Sequence, residues 1–269
     1  MTDFFETHMH LTDGQFDSDR SEVIARAYVA RVRYMVEIAE SPENWDAAVD
    51  LTEKYSFIYA SLGIHPHHAH DSGPDQWPSL EKRLRELLKN PKVVAIGEFG
   101  LDYFRMRNTR EEQECLFRRQ LDLARELDKP VVIHCRDAHA DLQKVLLEYY
   151  PETAPKFELP RPNGVIHCFS GVFSDAQVYM MHGFLMGIDG PVTYPNAKLL
   201  QENVLRFPVE RMVLETDCPY LPPQAIRGQR NDPAQIPAIA AAVAKIKRKT
   251  TDEIAERTTR NARVLFRIK

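Results

Sequence analysis

The chain has 269 residues, 43% of them hydrophobic and 28% charged, enough for a large core and close to the roughly 250 residues of an α/β barrel that folds as one domain. Its formal net charge of -4 excludes a global positive field for nucleic acid, whose phosphates dominate non-specific affinity, so any phosphate binding has to be local. Four cysteines (Cys115, Cys135, Cys168, Cys218) without Cys-x-x-Cys spacing exclude a disulfide framework and point to a reducing compartment.

The start, MTDFFETHMH, lacks a basic segment followed by an apolar one, and no stretch approaches the roughly 18 apolar residues of a membrane span. A cytoplasmic protein is expected, and a monomer, since no exposed apolar face demands a partner. Short apolar runs then alternate with longer segments of helical period, the pattern of repeated βα units around a parallel sheet. The expected strands cover 4–10, 33–39, 57–65, 93–101, 131–135, 164–170, 184–190 and 211–217. Between them WPSLEKRLRELLKN and REEQECLFRRQLDLARELD return apolar residues every three or four positions. AQIPAIAAAVAKIKRK and TDEIAERTTRNARVLF close the chain, the last opening on a helix start signal. Eight strand–helix units predict a (β/α)8 TIM-type barrel with an extra C-terminal helix, residues 1–269 forming one domain. The Pro-rich piece YYPETAPKFELPRPNG, 149–164, reads as a long excursion before the sixth strand, placed either at the mouth, where it would touch substrate choice, or on the underside.

His8 and His10, two apart on a strand, share a face, and a barrel gathers its strand ends around one mouth. Glu98, His134, His167 and Asp217 each sit near the C-terminal end of a different expected strand. So many buried ionisable groups need a compensating charge, and no Arg or Lys stands beside the carboxylates within these strands, which favours metal over an ion-pair network. Four imidazoles and two carboxylates suit two divalent cations. Glu98 is the expected bridge, because a carboxylate offers one oxygen to each metal; His8 and His10, with Asp217 close by, would complete one site and His134 with His167 the other. A hydroxide between the metals would be the nucleophile, with Asp217 orienting it or taking its proton. Mixed nitrogen and oxygen donors suit Zn²⁺, Mn²⁺, Co²⁺ or Fe²⁺ better than an all-oxygen Mg²⁺ site.

Cys135, Cys168 and Cys218 each follow a proposed ligand, so alternation turns them toward the helices as small core residues. In GIHPHHAH, 63–70, His65 and His67 would reach a substrate oxygen or the rim of the metal site, while His68 and His70 read as solvated. Arg136, Arg227 and Arg230 offer guanidinium forks for phosphate, and Tyr103 and Phe104 could stack a base or close a core layer.

THMHL, GIHPHHA, GEFGLDY, VVIHCRDA, HCFSG, ETDCPYL, RGQRNDP and NARVLF, in this order and spacing, resemble the TatD family of metal-dependent hydrolases, within the amidohydrolase-like superfamily. The resemblance covers nearly the whole chain. It implies a (β/α)8 barrel, with His8, His10, Glu98, His134, His167 and Asp217 at the family's metal and catalytic positions and His65 close to the site. It also implies DNase activity, often 3′ to 5′ exonuclease action on single-stranded DNA, supported by Mg²⁺ or Mn²⁺, with Zn²⁺ sometimes bound. The chain departs from the family at its start, where Glu6 stands in place of the usual Asp of Asp-x-His-x-His. The expectation is therefore a phosphodiesterase acting at a DNA 3′ end through two divalent ions, Zn²⁺, Mn²⁺ or Mg²⁺. Substrate contacts fall to His65, Arg136, Arg227 and Tyr103, and catalysis to Asp217 and Glu98. The rival readings are an amide or ester hydrolase, such as a D-aminoacyl-tRNA deacylase, and a non-catalytic barrel scaffold.

Overall fold

A computed structural model describes residues 2–152 and 161–269. Eight parallel strands run in sequence order around a barrel: β1 (Phe4–Met9), β2 (Val32–Ala39), β3 (Ile58–Leu62), β4 (Val93–Asp102), β5 (Val131–Arg136), β6 (Gly164–Ile166), β7 (Phe184–Ile188) and β8 (Met212–Leu214). The helices that return the chain are α1 (Arg20–Val29), α2 (Trp45–Lys54), α3 (Trp77–Leu87), α4 (Arg110–Glu126), α5 (His139–Tyr149), α6 (Phe173–Met181), α7 (Lys198–Arg206) and α8 (Ile236–Lys247), followed by α9 (Thr251–Phe266). Among the described residues no helix is long and apolar enough to cross a membrane.

Two apolar layers hold this architecture. Outward-facing residues such as Phe4, Ile96, Ile133, Ile166, Met186 and Leu214 pack with the helices. Every strand contributes to the barrel interior, among others through Phe5, Val36, Tyr59, Val94, Val132, Val165, Leu185 and Val213. The additional helix α9 plugs this interior from below with Ala262, Leu265 and Phe266, the Phe266 ring stacking on Phe5 at 5.8 Å. Its start is fixed by a reciprocal cap in which Glu253 N–H donates to Thr250 Oγ1 (3.2 Å) and Thr250 N–H to Glu253 Oε2 (2.7 Å), satisfying two otherwise orphaned donors.

The eight expected strands are all present, but three end three or more residues early. The third stops at Leu62, the sixth at Ile166 and the eighth at Leu214, so His65, His167 and Asp217 lie on the turns beyond them. Cys168 (φ 44°) and Asp217 (φ 56°) adopt left-handed backbone there, which ends strand alternation. Cys168 is accordingly not turned to the helices. Its Sγ–H donates to Asp189 Oδ2 at 2.9 Å beside the mouth, whereas Cys135 and Cys218 are buried as expected.

The middle of the Pro-rich excursion, 153–160, lies outside the described residues. Its flanks belong to the underside: Tyr150 caps the end of α5, and Arg161 pairs with Asp128, which also pairs with Arg267 just after α9.

Candidate metal centre

The first and last strands meet at the mouth. Between β8 and β1, His10 N–H donates to the Cys218 carbonyl (2.9 Å) and Asp217 N–H to the His8 carbonyl (2.9 Å). Lower in this seam Glu6 Oε1 accepts from both His8 N–H (2.9 Å) and Thr216 N–H (3.0 Å). Burial pushes the Glu6 carboxyl up to about 8 against these bonds. A register shift between Glu6 and Met9 lets β1 send Phe5 into the interior and still aim His8 and His10 inward, an odd spacing that unbroken alternation forbids.

His8 Nε2 and His10 Nε2 are 3.2 Å apart. His8 Nε2 lies 3.3 Å from Glu98 Oε2 and 3.7 Å from Asp217 Oδ1, and His10 Nε2 lies 3.3 Å from the same Asp217 oxygen. Ligands at about 2.1 Å from one cation stand roughly 3.0–3.4 Å from each other in octahedral or tetrahedral geometry, so this donor set fits a divalent ion. His10 Nδ1 lies 3.2 Å from the Ile38 carbonyl, so in the neutral ring Nδ1 carries the proton and Nε2 keeps its lone pair for a cation.

The other Glu98 oxygen faces the far side. Oε1 is 2.6 Å from His134 Nδ1, 3.8 Å from His167 Nε2 and 3.9 Å from His65 Nε2. Three overlapping groups could each hold an ion: His8, His10 and Glu98; His8, His167 and Asp217; His65, Glu98 and His134. The expected pairing of His134 with His167 therefore runs through Glu98, and His167 also stacks on His8 at 3.4 Å and approaches Asp217 Oδ1 at 3.6 Å.

The electrostatics follow from imidazoles crowded around carboxylates. Burial resists the Glu98 charge, yet the surrounding histidines, His167 and His8 foremost, hold its carboxyl well below the usual range. Asp217 is likewise lowered, its burial outweighed by the His10 hydrogen bond and the nearby imidazoles. Burial works against charged His10 and His134, but their carboxylate partners raise them to about 10 and about 9. Buried among other imidazoles, His8 is lowered and His65 falls well below its ordinary value. His65 Nδ1 accepts from His67 N–H (3.2 Å), so in the neutral ring the proton sits on Nε2 and that atom is a donor, unsuited to binding a cation.

Two carboxylates that sequence reasoning passed over support this cluster. Asp102 Oδ2 lies 3.3 Å from His134 Nε2 and 3.1 Å from His67 Nε2. Glu215 Oε1 lies 3.0 Å from His167 Nδ1, close but off line for a hydrogen bond, and accepts from Cys168 N–H (2.5 Å). A Cβ on Gly187 would stand 2.3 Å from that Glu215 oxygen, so β7 needs glycine there to admit the carboxylate. The signal was available: Asp102 follows Glu98 by four residues in GEFGLDY and Glu215 precedes Asp217 by two in ETD.

The expected substrate residues are more scattered. Arg136 is exposed, its guanidinium 4.1 Å over the Phe104 ring. Arg227 lies 4.6 Å over Tyr194. Arg230 is drawn away to Asp19 (2.6 Å). Tyr103 donates its hydroxyl to Asp141 (2.9 Å) and carries Arg110 over its ring at 4.2 Å, which leaves Phe104 as the open ring. Exposed Tyr220 stands edge-on to His10 at 6.2 Å, another aromatic beside the site. A cleft of about 440 Å³ opens next to the cluster between His134, His167, Asp217, Asp189, Leu199 and Leu221.

The profile of the TatD related DNase family matches residues 5–267. A Bacillus subtilis protein named as a metal-dependent hydrolase, YabD, is 39% identical over 98% of this chain and 99% of its own. A Pantoea vagans protein named 3′-5′ ssDNA/RNA exonuclease TatD is 38% identical over 98% of this chain and 99% of its own. The crystal structure of YjjV, a TatD homolog from Escherichia coli, superposes with a TM-score of 0.88 at 33% identity, covering 99% of this chain and 98% of that one.

Proposed function

The chain belongs to the TatD related DNase family and is a metal-dependent hydrolase; from that premise we propose that it is a phosphodiesterase that removes nucleotides from the 3′ end of single-stranded DNA, as a cytoplasmic monomer. The observation that carries this reading is the division of Glu98, with Oε2 turned to His8 and Oε1 turned to His134 and His167. That division suits a carboxylate bridging two cations. His8 and His10 would hold the first with Glu98 Oε2, and His134 and His167 the second with Glu98 Oε1, while Asp217 reaches His8, His10 and His167. The mixed donors favour Zn²⁺ or Mn²⁺ over Mg²⁺.

Bound divalent ions supply Lewis acidity, polarising a phosphoryl group and easing the ionisation of water. The chain's own residues do the rest. Asp217, kept anionic by its imidazole neighbours, would accept the proton of an attacking water. Neutral His65 presents Nε2–H to a phosphate oxygen. Arg136 and Arg227 neutralise the flanking phosphates, and an aromatic side chain, Tyr103 or its neighbour Phe104, stacks a base.

The test follows a 5′-labelled single-stranded oligonucleotide with Mn²⁺, Mg²⁺, Zn²⁺ or chelator, with RNA of the same sequence in parallel. A metal-dependent ladder shortening from the 3′ end is expected, and Asp217→Asn should lose at least about 100-fold in rate. An oligonucleotide left intact under every metal would move the assignment to acyl or amide bonds, starting with aminoacyl-tRNA.

A further inference from the structure

Resting on the nuclease reading above, we propose that the rim loop Tyr103–Arg107, together with Arg136, is a platform for single-stranded nucleic acid upstream of the scissile bond, binding it by stacking and phosphate contact without regard to base identity.

The loop leaves β4 five residues after Glu98 and reads YFRMR, with Asn108, Thr109 and Arg110 completing the connection to α4. It contains no acidic residue in a chain of net charge -4. Phe104 is 61% exposed and Met106 44%, and Arg105 and Arg107 are exposed beside them. Arg110 is turned to Asp141 (3.7 Å), but among the described residues no ion pair engages Arg105, Arg107 or Arg136. An exposed ring capped by a guanidinium at 4.1 Å makes a two-layer stack, and a base can extend it on either outer face, because rings and guanidinium planes both stack on bases.

The frame beneath is fixed, so the platform is held at a set position relative to the metal centre. Phe104 N–H and Arg105 N–H both donate to Asp102 Oδ1 (3.0 and 2.8 Å), and the other oxygen of Asp102 faces His134. Tyr103 N–H donates to the Arg136 carbonyl (2.9 Å). Gln113 Nε2–H donates to the carbonyls of Asp102 (3.1 Å) and Asn108 (3.0 Å), closing the loop at both ends. Asn108 Nδ2–H donates to the Pro66 carbonyl (2.6 Å), joining the loop to the turn that carries His65. A strand whose 3′ end lies among the metal ligands crosses this rim if its preceding bases pass over β4 and β5. Duplex DNA hides its base faces and gains only the phosphate contacts.

The experiment measures binding apart from cleavage. Asp217→Asn protein loaded with Mn²⁺ is titrated into fluorescein-labelled oligothymidylates of two, four and eight residues, an octamer of uridylate and a blunt eight-base-pair duplex. Affinity is expected to tighten from two to eight residues for the single strands and to be weaker for the duplex. Adding Phe104→Ala should weaken octamer binding about 10- to 100-fold, and adding Arg105→Gln with Arg107→Gln should lower the slope of log affinity against log salt by roughly 0.7 per arginine. A melting temperature within two or three degrees of the parent, roughly 1 kcal/mol, establishes that each variant is folded. Octamer affinity and salt slope unchanged in both variants would overturn the platform, as would duplex binding equal to single-strand binding. If the active protein leaves the labelled octamer uncut while these binding differences persist, the cleavage assignment falls and the platform stands.

Discussion

At the scale of single residues, the cluster separates groups that could hold an ion from groups that would act through them. Glu215 is of the second kind: it approaches the cluster at His167. Removing such an outer partner of a metal-binding histidine typically costs 10- to 100-fold in affinity or activity. Glu215→Gln is therefore expected to weaken metal retention about 10-fold with little change in melting temperature of the metal-free protein. Metal content after gel filtration checks this, and full retention would free His167 of any dependence on Glu215. The residues convergent on the cluster were legible because imidazoles at strand ends are costly without a ligand, and each of His8, His10, Glu98, His134, His167 and Asp217 lies within 4 Å of at least one other of them. Asp102 and Glu215 were not read, because a carboxylate near a strand end looks like an ordinary loop acid until its histidine is known. Cys168 was misread for a different reason: alternation was carried past the point where a left-handed residue breaks it.

At the scale of elements, the succession of strands and the start of α9 were visible in the sequence, while strand ends were not. Past Ile166 and Leu214 the chain stays buried, His167, Glu215 and Thr216 included, because the mouth is itself enclosed, and residues bound for the site look like a continuation of the strand where the backbone leaves the sheet. The function of α9 was equally hidden. Its period marks a helix with one apolar face, but nothing local says that the face enters the barrel rather than packing outside it. Phe266 is 2% exposed and stacks on Phe5. Phe266→Ala should destabilise the protein by about 3–5 kcal/mol through lost transfer energy and the cavity left behind. Equilibrium urea unfolding measures it, and a loss below about 1 kcal/mol would mean that α9 is an accessory to the barrel and not its plug.

At the scale of the whole molecule, binding of ions to the folded state alone adds stability of RT ln(1 + [L]/Kd), about 2.7 kcal/mol for a site at 100-fold saturation. The carboxylates of the cluster gain further from a cation between them, while His10 and His134, raised by those carboxylates, have to release a proton to bind it, which offsets part of the gain. Since about 1 kcal/mol moves the melting temperature of a chain near this size by roughly 2–4 °C, chelation is expected to lower it by at least about 5 °C, reversibly on adding Mn²⁺ or Zn²⁺. Scanning calorimetry before and after chelation checks this, and coincident transitions would show that the ligand cluster does not hold ions tightly enough to matter to the fold.

The seam between β8 and β1 has a consequence in time. His8 and Asp217 are drawn together across the barrel by the hydrogen bonds of Glu6, His10 and Asp217, yet they are made far apart in synthesis. At about 5–20 residues per second, roughly 10–40 s separate the emergence of His8 from that of Asp217. Through that interval the growing chain carries most of the cluster but lacks the geometry that unites it. A translation product broken off before the eighth strand therefore lacks Asp217 and can never complete the cluster.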